Sequence, residues 1–158
     1  MLSLAKVEQL RQQPESVTLD LGEVVRNIVL DLSPLVADKA LDFELAADEP
    51  VTVRAHQWML QELTRNLLHN AIKQSPQGAA LSVSVRAVEG QAVLAVRDEG
   101  PGIMNPENVF VPFFTTKPGG SGIGLALSRQ IAEAHSGSLS LANRQDRTGC
   151  EAILRLPR

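Results

Sequence analysis

The chain has 158 residues, 44% of them hydrophobic, and a formal net charge of −3 at pH 7, which suits one folded domain and excludes a disordered segment. The acidic balance, with one Trp, four Phe and no Tyr, argues against a nucleic-acid surface, which needs basic charge and stacking platforms. The single Cys150 excludes an internal disulfide and a cysteine-rich zinc site, while the lack of a long apolar run or a leader peptide leads to the expectation of a cytoplasmic domain.

Residues 1–16 are polar, with Leu4, Val7 and Leu10 spaced along one helical stripe that Pro14 ends. The stretch is expected to be the tail of something longer, with the domain itself spanning 17–158. Asp20 with Glu23 makes a capping-box signature. It opens an amphipathic helix through Leu21, Val24, Val25, Ile28, Val29, Leu32, Leu35 and Val36. Two short strands are predicted over 41–45 and 51–54, and a second long helix over 56–74, stopped by Ser75-Pro76-Gln77-Gly78. Alternating runs at 81–88 and 92–97, joined at Glu89-Gly90, predict a hairpin. A long loop over 98–121 leads to a third helix over 122–135. A last hairpin pairs 138–142 with 151–156. The order α-β-β-α-β-β-α-β-β predicts an α+β, two-layer α/β sandwich. Its mixed, mostly antiparallel sheet would have about five strands, with three helices on one face.

Three groups of residues suggest chemistry. Glu62, Asn66, Asn70 and Lys73 share one face of the second helix. Asparagine is a poor mid-helix residue, and its amide oxygen is a hard, neutral ligand suited to Mg²⁺ that keeps its water and phosphates. Lys73 suits phosphate charge; a solvated polar face explains the same pattern equally simply. Asp98-Glu99-Gly100-Pro101-Gly102 places a carboxylate at a strand end beside two glycines. The acid suits an exocyclic amine such as that of adenine and mismatches the carbonyl of guanine. Alone, it also fits an ordinary Asp-Gly turn. Finally, Gly120-Ser121-Gly122-Ile123-Gly124-Leu125 runs straight into a helix, where exposed backbone N–H groups and the helix dipole favour phosphate. The spacing is neither a P-loop nor a dinucleotide fingerprint, and by itself it fits a hinge as well. In one chain and in this order, the three supply the separate parts of a Mg²⁺-ATP site.

With these residues in place, the chain resembles the catalytic and ATP-binding domain of two-component sensor histidine kinases, in the superfamily shared with gyrase, Hsp90 and MutL. Glu62 to Lys73 resembles the N box, Asp98 to Ile103 the G1 box, and Gly120 to Leu127 the G2 box. Val109-Phe110-Val111-Pro112-Phe113-Phe114-Thr115-Thr116-Lys117 resembles the F box of the short-lid kinases. The resemblance implies a Bergerat-type ATP-binding fold. It implies Asn70 as a Mg²⁺ ligand, Asn66 as a second candidate beside the phosphates, and Lys73 on phosphate. It implies Asp98 on the adenine amine, with Gly100, Gly102 and Ile103 shaping the base pocket. Thr116, Lys117, Gly120, Ser121, Gly122, Ile123, Gly124 and Leu125 would close over the phosphates.

Departures from the family pattern are Gln74, where an aromatic or histidine is usual near the base, and Ser136, where a glycine is usual after the third helix. His135 is expected to serve as a helix C-terminal cap. The phosphoacceptor motif, a histidine followed by an acid, is absent: none of His56, His69 and His135 is followed by one. The resemblance therefore implies a division of labour, in which this piece supplies Mg²⁺-ATP and the catalytic histidine lies on an upstream dimeric helical hairpin. It further implies ATP and ADP as ligands, a response regulator as partner, a homodimeric parent with this piece monomeric, and no nucleic acid. Two other functions fit the same boxes. One is a free-standing protein-serine kinase of the anti-sigma-factor type, and the other is a non-catalytic nucleotide-sensing module.

Overall fold

The computed structural model describes residues 16–102 and 123–158. Strand β1 (Val17–Asp20) leads into helix α1 (Leu21–Asp38), whose N-cap is Asp20. Its Oδ1 accepts from the Gly22 N–H at 3.0 Å and from the Val51 N–H at 3.2 Å. One side chain thus caps the helix and pins the approach to β3 (Thr52–Ala55). The predicted apolar stripe is buried at Leu21, Val24, Val25, Ile28 and Leu32, while Leu35 is exposed and lies off it. Pro34 sits inside α1 and brings no N–H for the Leu30 carbonyl. The Ser33 hydroxyl donates to that carbonyl instead, at 2.8 Å.

Strand β2 (Asp42–Ala46) follows α1, and helix α2 (Gln57–Gln74) follows β3; the hairpin is β4 (Ala80–Val88) with β5 (Gln91–Arg97). Helix α3 (Ile123–Ala134), β6 (Ser138–Asn143) and β7 (Cys150–Pro157) complete the described chain. The main sheet has the order β2-β4-β5-β7-β6 and is antiparallel except for the β2–β4 pair. This is the expected mixed, mostly antiparallel five-stranded sheet under three helices.

One detail differs from the sequence reading, and another is one that the reading left open. The segment 17–20 is a strand, paired antiparallel with β3 as a separate two-stranded sheet. Four half-exposed residues just before a helix cap carry too little alternation to announce it. And the two short strands are not partners of each other. β2 edges the main sheet beside β4, whereas β3 belongs to the small sheet.

The core lies between the helices and one face of the sheet. Leu81, Val83 and Val85 of β4, Leu94 and Val96 of β5, and Leu154 of β7 meet the buried stripes of the helices. β5 is the central strand, flanked by β4 and β7, and its residues 92–96 are all buried, so the expected alternation is not visible in its burial. Cys150 is buried at the start of β7. Burial, and then the charge of Asp98, push its thiol up to about 12. It is a packing residue at neutral pH.

A surface latch ties the sheet's strand ends together. Just beyond β5, Glu99 accepts from the Ala80 N–H at the start of β4 at 2.7 Å and pairs with Arg147 in the turn before β7. The Ala80 N–H, followed by the Arg147 hydrogen bond, holds the Glu99 carboxyl below its ordinary value.

The C-termini of α1 and α3 close in the same way. At the end of α3 the Ser136 N–H donates to the Glu133 carbonyl, and the Gly137 N–H to the Ala132 carbonyl. This double bond pattern needs a left-handed residue after the cap. Ser136 takes that conformation at φ 60°, and Ala40 plays the same part after α1 at φ 50°. Glycine adopts this region at no steric cost.

Ser136→Gly is therefore expected to stabilise the fold by about 1 kcal/mol, read as a higher urea midpoint at unchanged slope. The Glu99 latch gives a pH dependence. A carboxyl held low in the fold contributes stability above its unfolded value and loses it as pH falls through its folded value. Wild type should exceed Glu99→Gln in stability at neutral pH, and the gap should close as the pH drops below the ordinary 4.5. A gap unchanged down to about pH 3 in urea titrations would rule the latch out.

Candidate functional site

Helix α2 has two unlike faces. Met59, Leu60, Leu63, Leu67, Leu68, Ala71 and Ile72 are buried in the core. Glu62, Asn66 and Asn70 are half-buried on the other side, and His69 and Lys73 are exposed. Partial burial, then the neighbouring charges of Lys73 and Arg65, lower the His69 pKa, so its ring is mostly neutral at pH 7. The predicted polar face is present, set off from the core by the helical repeat.

Contacts with α3 fix how that face is used. The Asn66 amide nitrogen donates to the Ser128 hydroxyl at 3.4 Å, a long bond. At the other end, the His135 ring bonds the Ile131 carbonyl through Nδ1 at 2.7 Å, and its Nε2 accepts from the His56 N–H at 3.0 Å. This requires the Nδ1–H tautomer. His135 thus does cap its own helix, as expected, and also supplies an acceptor to the start of α2. The two contacts run in opposite directions along the helices, so α3 is antiparallel to α2. Its N-terminal turn, with Ile123, Gly124 and Leu125, runs toward the Asn70 and Lys73 end of α2. Leu125 packs against the core.

The C-terminal end of α2 is clamped. Lys39 Nζ donates to the carbonyls of Ile72, Lys73 and Ser75 at 2.8, 2.9 and 2.9 Å. A cation at a helix C-terminus satisfies carbonyls with no N–H partner and sits at the negative end of the dipole. Against this end lies the turn after β5. A Cβ on Gly100 would stand 2.6 Å from the Gln74 carbonyl oxygen, so only glycine lets the turn approach.

Asp98 is only 4% exposed. It opposes Cys150 at the end of the β5–β7 ladder, and its N–H donates to the Cys150 carbonyl at 3.0 Å. The return bond is different. The Cys150 N–H goes to the Asp98 side chain, Oδ1, at 3.2 Å, and Oδ1 also accepts from the Gly100 N–H at 2.9 Å. Two backbone donors fix this buried carboxylate, as a buried charge requires. The Asp98 carbonyl, displaced from the ladder, accepts from Arg144 Nη1 at 3.2 Å. Main chain passes close over it: a Cβ on Gly149 would lie 2.1 Å from that oxygen. Gly102 continues the turn at φ 86°, facing Asn143.

The described residues thus bring Asn66, Asn70 and Lys73 on α2, Asp98 and Gly100 in the turn, and the start of α3 to one end of the helical layer. Ile103, Thr116, Lys117, Gly120, Ser121 and Gly122, with Phe113 and Phe114, lie outside the described residues. Sequence reasoning missed Lys39, Ser128, Arg144 and Gly149. Gly149, just before a strand, was the one with a visible signal. The others are polar residues that look solvated until their backbone partners are known.

The family of histidine kinase-, DNA gyrase B- and HSP90-like ATPases matches residues 55–158. Sensor protein BasS of Escherichia coli (strain K12) is 39% identical over 118 residues, covering 72% of this chain and 31% of BasS. Sensor protein QseC of Salmonella typhi is 32% identical over 162 aligned positions, covering 98% of this chain and 35% of QseC. The chain spans about a third of the length of these relatives. Among solved structures, the catalytic domain of histidine kinase ThkA, in a nucleotide-free form, matches with TM-score 0.83 at 26% identity, over 90% of this chain and 95% of that one. A mycobacterial sensor histidine kinase, MprB, matches with TM-score 0.79 at 30% identity, over 90% and 97%. The matched span holds the polar face of α2, the Asp98 turn and the start of α3, and the chain belongs to the histidine kinase-, DNA gyrase B- and HSP90-like ATPase family, as a catalytic domain of the sensor histidine kinase kind.

Proposed function

We propose that residues 17–158 bind Mg²⁺-ATP and present its γ-phosphoryl group for transfer to a histidine on an upstream helical hairpin of the same protein. The observation that carries this reading is the buried Asp98 carboxylate, held by the Gly100 and Cys150 N–H groups in a turn seated against the end of α2. A carboxylate fixed in this way is suited to accept from the exocyclic amine of adenine and to reject the guanine carbonyl.

Asn70, with Asn66 one turn earlier, would hold the Mg²⁺. Among the described residues no group of three or more His, Cys, Asp or Glu could hold a metal. The neutral amide oxygens of Asn70 and Asn66 suit an ion whose charge is balanced by nucleotide phosphates. When bound, the ion would neutralise charge on those phosphates. Lys73 adds a mobile positive charge at the same end of α2, and the N-terminus of α3 adds the positive end of a helix dipole. Phosphoryl transfer depends largely on such positioning and charge neutralisation. The bond formed is from phosphorus to a histidine nitrogen, and the bond broken is to the leaving oxygen of ADP.

In this reading residues 1–16 are the tail of the part that carries the nucleophile, or a linker from it. The parent protein is a homodimer that passes the phosphoryl group to a response regulator, and the domain works in the cytoplasm. Relatives named as sensor proteins and the family match to 55–158 support the sensor-kinase assignment from which this reading starts. Among the described residues no helix is long and apolar enough to cross a membrane.

Calorimetry tests the site directly. ADP and ATP should bind with an affinity that rises when Mg²⁺ is added, and GTP should not bind. Asp98→Asn keeps an acceptor for the two N–H groups but turns an amide toward the base, and should weaken ADP by roughly tenfold or more. Asn70→Ala should bind ADP yet lose most of the Mg²⁺ enhancement. Absence of binding at millimolar nucleotide, or equal binding of GTP, would overturn the reading.

A further inference from the structure

The Asp98 carboxylate reads the ligand only because the strand around it breaks its own hydrogen-bond pattern. In an antiparallel ladder, opposed residues of a hydrogen-bonded pair exchange both N–H···O bonds. At Asp98 and Cys150 one of the two is replaced: the Cys150 N–H is taken by the Asp98 side chain. The displaced carbonyl is in a buried residue and needs another donor. Arg144 supplies it.

The Arg144 side chain is only 12% exposed, and its guanidinium is itself held. Nε and Nη2 donate to the two carboxylate oxygens of Asp146 at 3.0 and 2.8 Å, a forked pair that fixes the plane of the group. The third bond, from Nη1, then points at the Asp98 carbonyl. The Arg144 N–H bonds the Gly149 carbonyl at 2.9 Å, closing the β6–β7 turn so that Gly149 can pass over the same oxygen. Asp146, Arg144 and Asp98 thus form a relay from the surface to the Asp98 main chain.

We propose that Arg144 is a positioning residue that sets nucleotide selectivity by holding the Asp98 carbonyl out of the β5–β7 ladder. This rests on the assignment of Asp98 to the adenine amine. With Arg144 in place, Oδ1 stays bonded to the Cys150 and Gly100 N–H groups, and the carboxylate has one orientation. Without it, the carbonyl loses the Arg144 bond and competes for the Cys150 N–H, which weakens one of the two backbone bonds that orient Oδ1. Lysine at this position can donate to the carbonyl but cannot fork onto Asp146, so it restores the function in part.

The experiment measures ADP and GDP affinities by calorimetry for wild type, Arg144→Ala, Arg144→Lys, Arg147→Ala, Asp98→Asn and the Asp98→Asn/Arg144→Ala double variant, with thermal melts to confirm folding. Arg144→Ala should weaken ADP by roughly five- to tenfold and narrow the ADP-to-GDP ratio, with Arg144→Lys in between. Arg147→Ala removes an exposed ion pair from the same turn and should stay within about twofold of wild type. In the Asp98→Asn background the loss of Arg144 should cost nothing further, because its effect passes through that carboxylate. An Arg144→Ala protein that is folded and binds ADP as wild type does, or whose loss adds fully to that of Asp98→Asn, overturns the proposal. A merely structural role predicts the latter, with ADP and GDP weakened alike. Wild type that fails to bind ADP at all would instead overturn the nucleotide site itself, and this inference with it.

Discussion

Burial of one face of α2 is the constraint on which the other elements depend. The helix has 18 residues, about 27 Å of length. α1 packs on one flank, α3 on the other, and the sheet beneath. Seven apolar side chains from Met59 to Ile72 fill that contact; at roughly 1.5–3 kcal/mol for each large side chain removed from water, no other described element contributes as much. A helix committed so fully on one side has a fixed rotation about its axis. The opposite stripe, Asn66 and Asn70 with Lys73 beyond them, is therefore presented in one orientation only. The polar face is precise because the apolar face leaves no freedom.

Rotation alone does not fix the ends, and here polar contacts decide. Apolar packing is nearly indifferent to a slide along the axis, whereas hydrogen bonds are not. His135 receives the N–H of His56 at one end, and Lys39 gathers three carbonyls at the other. Each partner comes from a different flanking helix or its cap. The three helices are consequently set against one another lengthwise as well as sideways. That setting carries the start of α3 toward the Asn70 end and seats Gly100 against Gln74. Small residues matter at that seat for a steric reason: a β-carbon there would overlap the Gln74 carbonyl, which lies between the Lys73 and Ser75 carbonyls that Lys39 holds.

Much of this was legible in the sequence, and the boundary of what was legible is physical. Helix α2, the β4–β5 hairpin and the β6–β7 pair follow from periodicity, because each buries a face whose repeat shows along the chain. The Asn pair, the Asp98 turn and the glycine run stood out because each residue type is costly or unusual where it occurs. Strand β1 was not legible, being four residues with little alternation. Nor was the pairing of β2 and β3: which strand pairs with which is settled by three-dimensional packing, not by either strand's own pattern. Ser136 was noted as a departure from the family's glycine, and the structure supplies the reason it matters, a left-handed φ at the end of α3. Lys39 and Arg144 were invisible for a common reason. Both act on backbone carbonyls, which no sequence distinguishes, and a lone Lys or Arg in a polar stretch has the appearance of a solvated charge.

The two halves of the proposed site differ in what holds them. On the α2 side the groups that would meet phosphate are side chains on a rigid helix, with Lys73 exposed and long, so their reach adapts to the ligand's charge. On the Asp98 side the reading group is anchored by main chain: two N–H donors on one carboxylate oxygen and a guanidinium on the carbonyl behind it. Charge recognition tolerates such latitude, because Coulomb attraction falls slowly with distance. Discrimination between an amine and a carbonyl does not, since a hydrogen bond weakens steeply when its angle is lost. The division of rigidity in this fold follows that division of tasks. The part proposed to need only charge is carried on helix side chains, with Lys73 exposed, and the part proposed to distinguish one base from another is built into the end of a central strand.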